Sequence, residues 1–398
     1  MRGLHWLVAG QTGLAALLLV GAALFARSLQ KLTAVDPGLD PRSRVSVNLS
    51  LPVVRYRDAA SIIAFYENLQ RRDESSGGVA RVSFVRNLPL RDNQRSKNVI
   101  REGDARTEKN IVPVTVQLAG TAVLRTLGIP LLEGRDLDVT DRLGSVRVAL
   151  VNRSAAKTLW PNESAIGKRV TATFAPSTHG LITIVGVYGD VRSGGLSATA
   201  SPEIVFPVAQ GDAWAGWMRN MRLVLETTAG SRAVLPDVRA ALREIDPGVA
   251  VELPTTMADV VHAGAARQRF LAALLAVFAA LALVIAAVGV FGVVSFSVAR
   301  QTRELAIRSA LGAGRGDILR GVLRMNAGVA AAGAVAGGVV AAAAAPALSG
   351  FLYDVSPRDG IVLAGAPLAL IAVAVLACVV PAIKAMRVPA ARALQDAD

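Results

Sequence analysis

Charged residues vanish from four stretches of the chain, 4–26, 270–299, 325–350 and 361–383. Each is long enough to cross a bilayer, which takes about 20 apolar residues at 1.5 Å apiece. Between the first and second lies a long segment of ordinary polarity, the one part whose pattern supports a water-soluble core. Alternating or β-branched runs there predict strands over 45–51, 79–85, 111–118, 146–151, 181–188 and 223–227. Helical spacing of Ile62, Ile63, Phe65, Tyr66 and Leu69 predicts a helix over 59–71, and a similar pattern predicts another over 231–245. The order is too irregular for a doubly wound sheet, so an α+β domain, with room for two lobes, is expected. The polar stretch 91–109 and the Gly/Ser/Ala-rich stretch 192–202 read as exposed loops.

The entry into the second apolar run carries its own signal. Thr256 followed three residues later by Asp259 is close to a capping box, with Asp in place of the usual Glu or Gln, and no proline follows until Pro346. One helix over 257–299 would be roughly 65 Å long, well beyond a 30 Å hydrocarbon core. Its first third would then stand outside the membrane as a rigid stalk. The alternative is a short amphipathic helix, a kink near 264–269 and an ordinary span.

Composition agrees with a membrane chain: 53% of residues are hydrophobic and only 18% charged, against about 25% charged in ordinary soluble domains. The formal charge of +13 acquires meaning from where it sits. Arg300, Arg303, Arg308, Arg315, Arg320 and Arg324 crowd the loop between the second and third runs, opposed only by Glu304 and Asp317, which marks that loop as cytoplasmic. Crossing parity then puts 27–269 outside. Arg27 and Lys31 run against this assignment, but long translocated domains obey the charge rule poorly. Most of the excess positive charge falls on the translocated segment, which argues against a nucleic-acid partner and leaves membrane lipid as a partner of the spans and their basic flanks. The expected segmentation is span one at 1–26, outer domain 27–256, stalk and span two 257–299, cytoplasmic segment 300–324, span three 325–350, outer loop 351–360, span four 361–383 and tail 384–398. Arg2 and the small residues Ala22, Ala23 and Ala26 also suit a cleaved leader, though the run is longer than most leaders carry.

Chemistry-bearing motifs are few. No G-x-x-x-x-G-K-[ST], H-E-x-x-H or G-x-S-x-G occurs in these 398 residues, and the single cysteine, Cys378, lies within an apolar run. No catalytic residue, cofactor or metal ligand is therefore assigned. Gly333 and Gly337 form a GxxxG that lets two helices approach closely. Gln11 and Asn326 are polar residues in or near apolar runs, expected to be hydrogen-bonded within a bundle or near the interface.

Residues 300–313, Arg-Gln-Thr-Arg-Glu-Leu-Ala-Ile-Arg-Ser-Ala-Leu-Gly-Ala, followed by Asp317 and Ile318, resemble the signature of FtsX-like permease domains. The pieces 34–40, 150–152 through 160–161 to 166–169, and 184–192 are similar to the MacB-like periplasmic core domain that adjoins it. Within that family the chain resembles the second half of the duplicated orphan permeases (ADOP type). The resemblance implies a four-helix transmembrane bundle with an α+β periplasmic domain inserted between spans 1 and 2, placed in a bacterial inner membrane. It also implies a non-catalytic permease subunit of an ABC-type mechanotransmission system. A separate ABC ATPase acts in trans, and a second permease half or a homodimer completes the machine. Carried over residue by residue, Arg303, Glu304, Arg308, Gly312, Ala313 and Asp317 form the surface that couples to the ATPase. The other reading of the same residues is a membrane-anchored periplasmic binding or scaffold protein without ATPase coupling.

Overall fold

In a computed structural model, residues 2–74, 78–92, 96–172, 180–211, 214–228, 235–300 and 315–385 are described. They fall into two compact units, 1–34 with 266–398, and 35–265. In the first unit, α1 (Arg2–Thr33), α8 (Ala266–Arg300), α9 (Arg315–Ala344) and α10 (Gly360–Ala385) form a four-helix bundle, and each contains a segment long and apolar enough to span a membrane. A 3₁₀ turn, Ala345–Phe351, follows α9 with Pro346 near its start, where the missing amide hydrogen is least needed. The apolar exterior of α8, with Phe270, Val277, Leu281 and Val288 exposed, is what a helix facing lipid requires.

The second unit is α+β. In chain order its strands are β1 (Arg44–Ser50), β2 (Val79–Val85), β3 (Ser96–Arg101), β4 (Val112–Ala119), β5 (Leu131–Gly134), β6 (Val148–Asn152), β7 (Arg169–Ala172), β8 (Ile182–Tyr188), β9 (Glu203–Pro207), β10 (Asn220–Thr227), β11 (Ala250–Val251) and β12 (Thr255–Thr256). Its helices are α2 (Ala59–Glu74), α3 (Val123–Leu127), α4 (Arg153–Leu159), α5 (Ala215–Met218), α6 (Leu235–Ile245) and α7 (Met257–Gly264). Antiparallel pairing of β1 with β10 and of β10 with β2 makes one lobe, covered by α2 through the fully buried Ile62, Tyr66 and Leu69. The second lobe is a closed circuit: β4 pairs β3, β3 pairs β7, β7 pairs β8, β8 pairs β6, β6 pairs β9, and β9 returns to β4 in parallel. Closure leaves this ring without a free edge among its six strands. A single bridge, Val85 to Ala119, links the two lobes, and one apolar core runs through both.

Two expectations are corrected. The stretch 91–109 is not all loop, because β3 lies inside it with Val99 and Ile100 buried. Two adjacent apolar residues give no readable periodicity; the partners β4 and β7 supply the strand's stability. The continuous helix over 257–299 is also interrupted: α7 ends at Gly264, the Ala265 amide donates to the carbonyls of His262 and Ala263, and α8 begins at Ala266. Glycine is the weakest helix former in that stretch. Its bare α-carbon lies against Leu196, where a β-carbon would come within 3.2 Å, so contact with the domain wins over helix continuity. The capping residue is as expected, in a variant form. The Thr256 hydroxyl accepts from the Asp259 amide at 3.0 Å and donates to the Asp259 carboxylate at 2.7 Å.

Candidate functional site

Of the six residues expected to couple to an ATPase, Arg303, Glu304, Arg308, Gly312 and Ala313 lie outside the described residues. Asp317 falls in the first turn of α9. Gly333 and Gly337 face α1 and have no room for a side chain. A β-carbon on Gly333 would stand 2.0 Å from the Thr12 hydroxyl and 2.6 Å from the Ala9 carbonyl, and one on Gly337 would stand 2.2 Å from the Gly13 carbonyl. The GxxxG stripe is thus filled from within the chain, by an Ala9–Gly13 stripe of matching spacing on α1. Thr12 turns its hydroxyl back to the Val8 carbonyl at 2.8 Å, which satisfies it without widening the helix pair. Below this contact, Val8, Val290, Val294, Ala330, Ala374 and the fully buried Cys378 form one cluster. The Gln11 side-chain carbonyl is buried beside Gly289 and has no hydrogen-bond partner, so the expected hydrogen bond is not made at that atom.

Arg27 and Lys31 now have a reason. Arg27 pairs with Asp359 at 3.1 Å and Lys31 with Asp354 at 3.0 Å, both in the connection between α9 and α10. The C-terminal end of α1 and that connection are neighbours, as crossing parity requires of segments on one side of the membrane. Arg267, at the start of α8, lies 5.3 Å from the ring centroid of Phe351 and ties the second span to the same end of the bundle.

In the α+β unit, the separate sequence pieces that carry the family resemblance converge. Gly38 sits at φ +82°, and a β-carbon there would come within 2.1 Å of the Asp190 carbonyl, so only glycine allows this crossing. The Arg192 amide donates to the Pro37 carbonyl at 3.2 Å. Asp190 in turn accepts from the Ser154 amide and hydroxyl, each at 2.9 Å, at the start of α4. Asn152 is the hub: its side-chain carbonyl caps α4 by accepting from the Ala155 amide, accepts also from the Glu203 amide, and its NH₂ donates to the Ser201 carbonyl. Next to it the buried Glu203 carboxylate accepts from Tyr188 at 2.8 Å and Ser193 at 2.7 Å. Burial pushes the Glu203 carboxyl above its ordinary value, and nearby Asp190 adds to this, while the two hydroxyl donors oppose it. Glu203 was not visible as a special residue in the sequence, where it stands in a short, unremarked strand. Its signal is positional, through the register that sets β9 between β4 and β6. The network is a structural knot with every described polar arm occupied. Among the described residues no group of three His, Cys, Asp or Glu side chains is placed to hold a metal ion.

Comparison with known proteins places these features in a family. The MacB-like periplasmic core domain matches residues 31–245, and the FtsX-like permease C-terminal domain matches 276–390. The chain is 27% identical over 214 residues to the pyoverdine export ATP-binding/permease protein PvdT of Pseudomonas aeruginosa, covering 53% of this chain and 32% of that protein. It is 24% identical over 257 residues to the macrolide export ATP-binding/permease protein MacB of Chromobacterium violaceum, covering 64% and 38% respectively. It therefore spans about a third of the length of the curated relatives it matches. Among solved structures, it is similar to the periplasmic region of MacB from Actinobacillus actinomycetemcomitans, at 13% identity and TM-score 0.37, over 59% of this chain and 97% of that one.

Proposed function

This chain belongs to the family of MacB-like and FtsX-like ABC permeases, a membrane protein with an extracytoplasmic domain, and from that premise we propose that it is the non-catalytic half of a mechanotransmission machine. A separate ABC ATPase, bound in trans at 300–317, drives the bundle, and the bundle moves the outer domain in an inner membrane. A second permease half or a second copy supplies the other arm, because a nucleotide-driven dimer needs two. The observation that carries this reading is the match over 276–390, since that region contains the arginine-bearing segment between two spans. In that segment Glu304 and Arg308 stand four residues apart, a spacing at which a helix presents both on one face. The PvdT and MacB relatives are named as export proteins with ATP-binding parts, which supports an export or extrusion role for this chain beside such a partner.

The coupling test is co-purification of the tagged chain from its native membrane, with nucleotide hydrolysis measured in the eluate. Wild type retains a P-loop ATPase whose hydrolysis responds to the permease. The double reversal Glu304→Lys/Arg308→Glu keeps the bundle's melting point and loses that ATPase by about tenfold, the effect of about 1.4 kcal/mol at the interface. Equal retention by the variant, or no ATPase with wild type, leaves the anchored scaffold as the better reading.

A further inference from the structure

The α+β unit holds a large cavity, about 590 Å³, at the seam between its two lobes, and nothing in the coupling role uses it. Its volume falls in the range of small-molecule sites. The buried Tyr66, Phe84, Leu137 and Val208 close its floor, with Ile63 half-buried at the wall and the polar Gln70 and Thr121 beside them. Tyr66 turns its hydroxyl away to the Met218 carbonyl at 2.8 Å, so it offers the cavity carbon only. Val139 stands at the rim with 80% of its surface exposed.

The charges around this floor are not equivalent. Asp141 accepts both guanidinium arms of Arg135, at 2.8 and 2.7 Å, and the Asp138 amide at 3.0 Å. Asp138 is taken up by the Thr140 amide at 2.8 Å and the Thr140 hydroxyl. Asp136, buried, accepts from the amides of Leu124, Leu137 and Arg125. Three of the four lining carboxylates are therefore committed to their own loop, and Arg135 with them. Arg71, Arg125 and Arg142 also line the cavity, are exposed, and make no ion pair among the described residues; Glu67 is the one comparable acid. A floor with apolar walls ringed by three exposed guanidinium groups, of which Arg125 also lies in the field of Asp136, selects for a carbon body with a planar oxyanion head, the geometry that arginine binds through two parallel hydrogen bonds.

We infer that this seam cavity is a binding site for a small acidic amphiphile, its chain against Ile63, Phe84 and Val139 and its anionic head between Arg125 and Arg142 or Arg71. The site stands apart from the coupling reading, since neither nucleotide nor ATPase enters its recognition.

The test uses the full chain in phosphatidylcholine nanodiscs without nucleotide, and a dodecanoic acid carrying a diazirine in its tail. Irradiation followed by peptide mapping labels the peptides that contain Ile63 or Val139, and excess unlabelled dodecanoate removes the label. A trimethylammonium probe with the same tail labels those peptides about tenfold less, and Arg125→Glu/Arg142→Glu lowers labelling by the acid about tenfold, the loss of about 1.4 kcal/mol of charge-assisted contact. Val139→Glu, at an exposed position that tolerates charge, lowers it as well and carries the test if the double variant does not fold. Labelling confined to the membrane spans, equal labelling by the cationic probe, or full labelling of folded Val139→Glu would each overturn the assignment.

Discussion

A single added methyl on α9 tests the helix contact at the centre of the bundle. In Gly337→Ala the new β-carbon would sit 2.2 Å from the Gly13 carbonyl oxygen and 2.7 Å from its carbonyl carbon, all of it backbone that cannot rotate away. Relief to the 3.4 Å of ordinary contact separates α1 and α9 by about 1.2 Å there. The neighbouring Gly333 contact with Ala9 and Thr12 opens with it. Overpacking of this kind costs about 1–3 kcal/mol, and for a unit of this size each kcal/mol moves the midpoint by about 2–4 °C. The measurement is built into the chain. Cys378 is the sole cysteine and has no exposed surface, so a thiol-reactive fluorophore reports opening of the bundle and nothing else. Gly328→Ala is the control, because it gains the same helix propensity in the same helix with nothing within 4 Å of the added carbon. Gly337→Ala should melt about 2–12 °C below Gly328→Ala. Equal midpoints would show that α1 and α9 do not meet as described.

Three further outcomes follow from the same geometry. Glu203, with its proton affinity raised by burial, stabilises the domain most at low pH; stability falls as pH rises through its raised value, by about 1.4 kcal/mol for every tenfold rise in affinity. Glu203→Gln retains a partner for Tyr188 and Ser193, so denaturant midpoints of the variant should be flat where wild type declines as pH rises above the ordinary glutamate range. Asn152→Ala removes the α4 cap and strands the buried Glu203 amide, and should lower domain stability by about 2–4 kcal/mol in chemical denaturation. Asp359→Ala removes both the pair with Arg27 and the carboxylate that receives the Ile361 amide at the start of α10. A loss of about 1–2 kcal/mol in the Cys378 labelling melt is expected, most of it from the cap.

Local pattern alone reveals the membrane architecture and the class of the outer domain. Long uncharged runs and helical spacing at Ile62, Phe65 and Leu69 depend on local composition, because a bilayer or a packed core accepts only such patterns. The strands 79–85 and 181–188 were legible for the same reason. Tertiary structure decided the rest. It broke the expected 257–299 rod at Ala265, because the approach of Gly264 to Leu196 is a contact between residues far apart in the chain. It made 96–101 a strand through neighbours that no periodicity encodes, and it filled the GxxxG stripe with Ala9 and Gly13 of the same chain. It also gave Arg27 and Lys31 their carboxylate partners and gathered four segments around Asn152 and Glu203. Local pattern reports what a residue is; which distant backbone lies within 3 Å of it depends on chain closure, and that is written only in the folded whole.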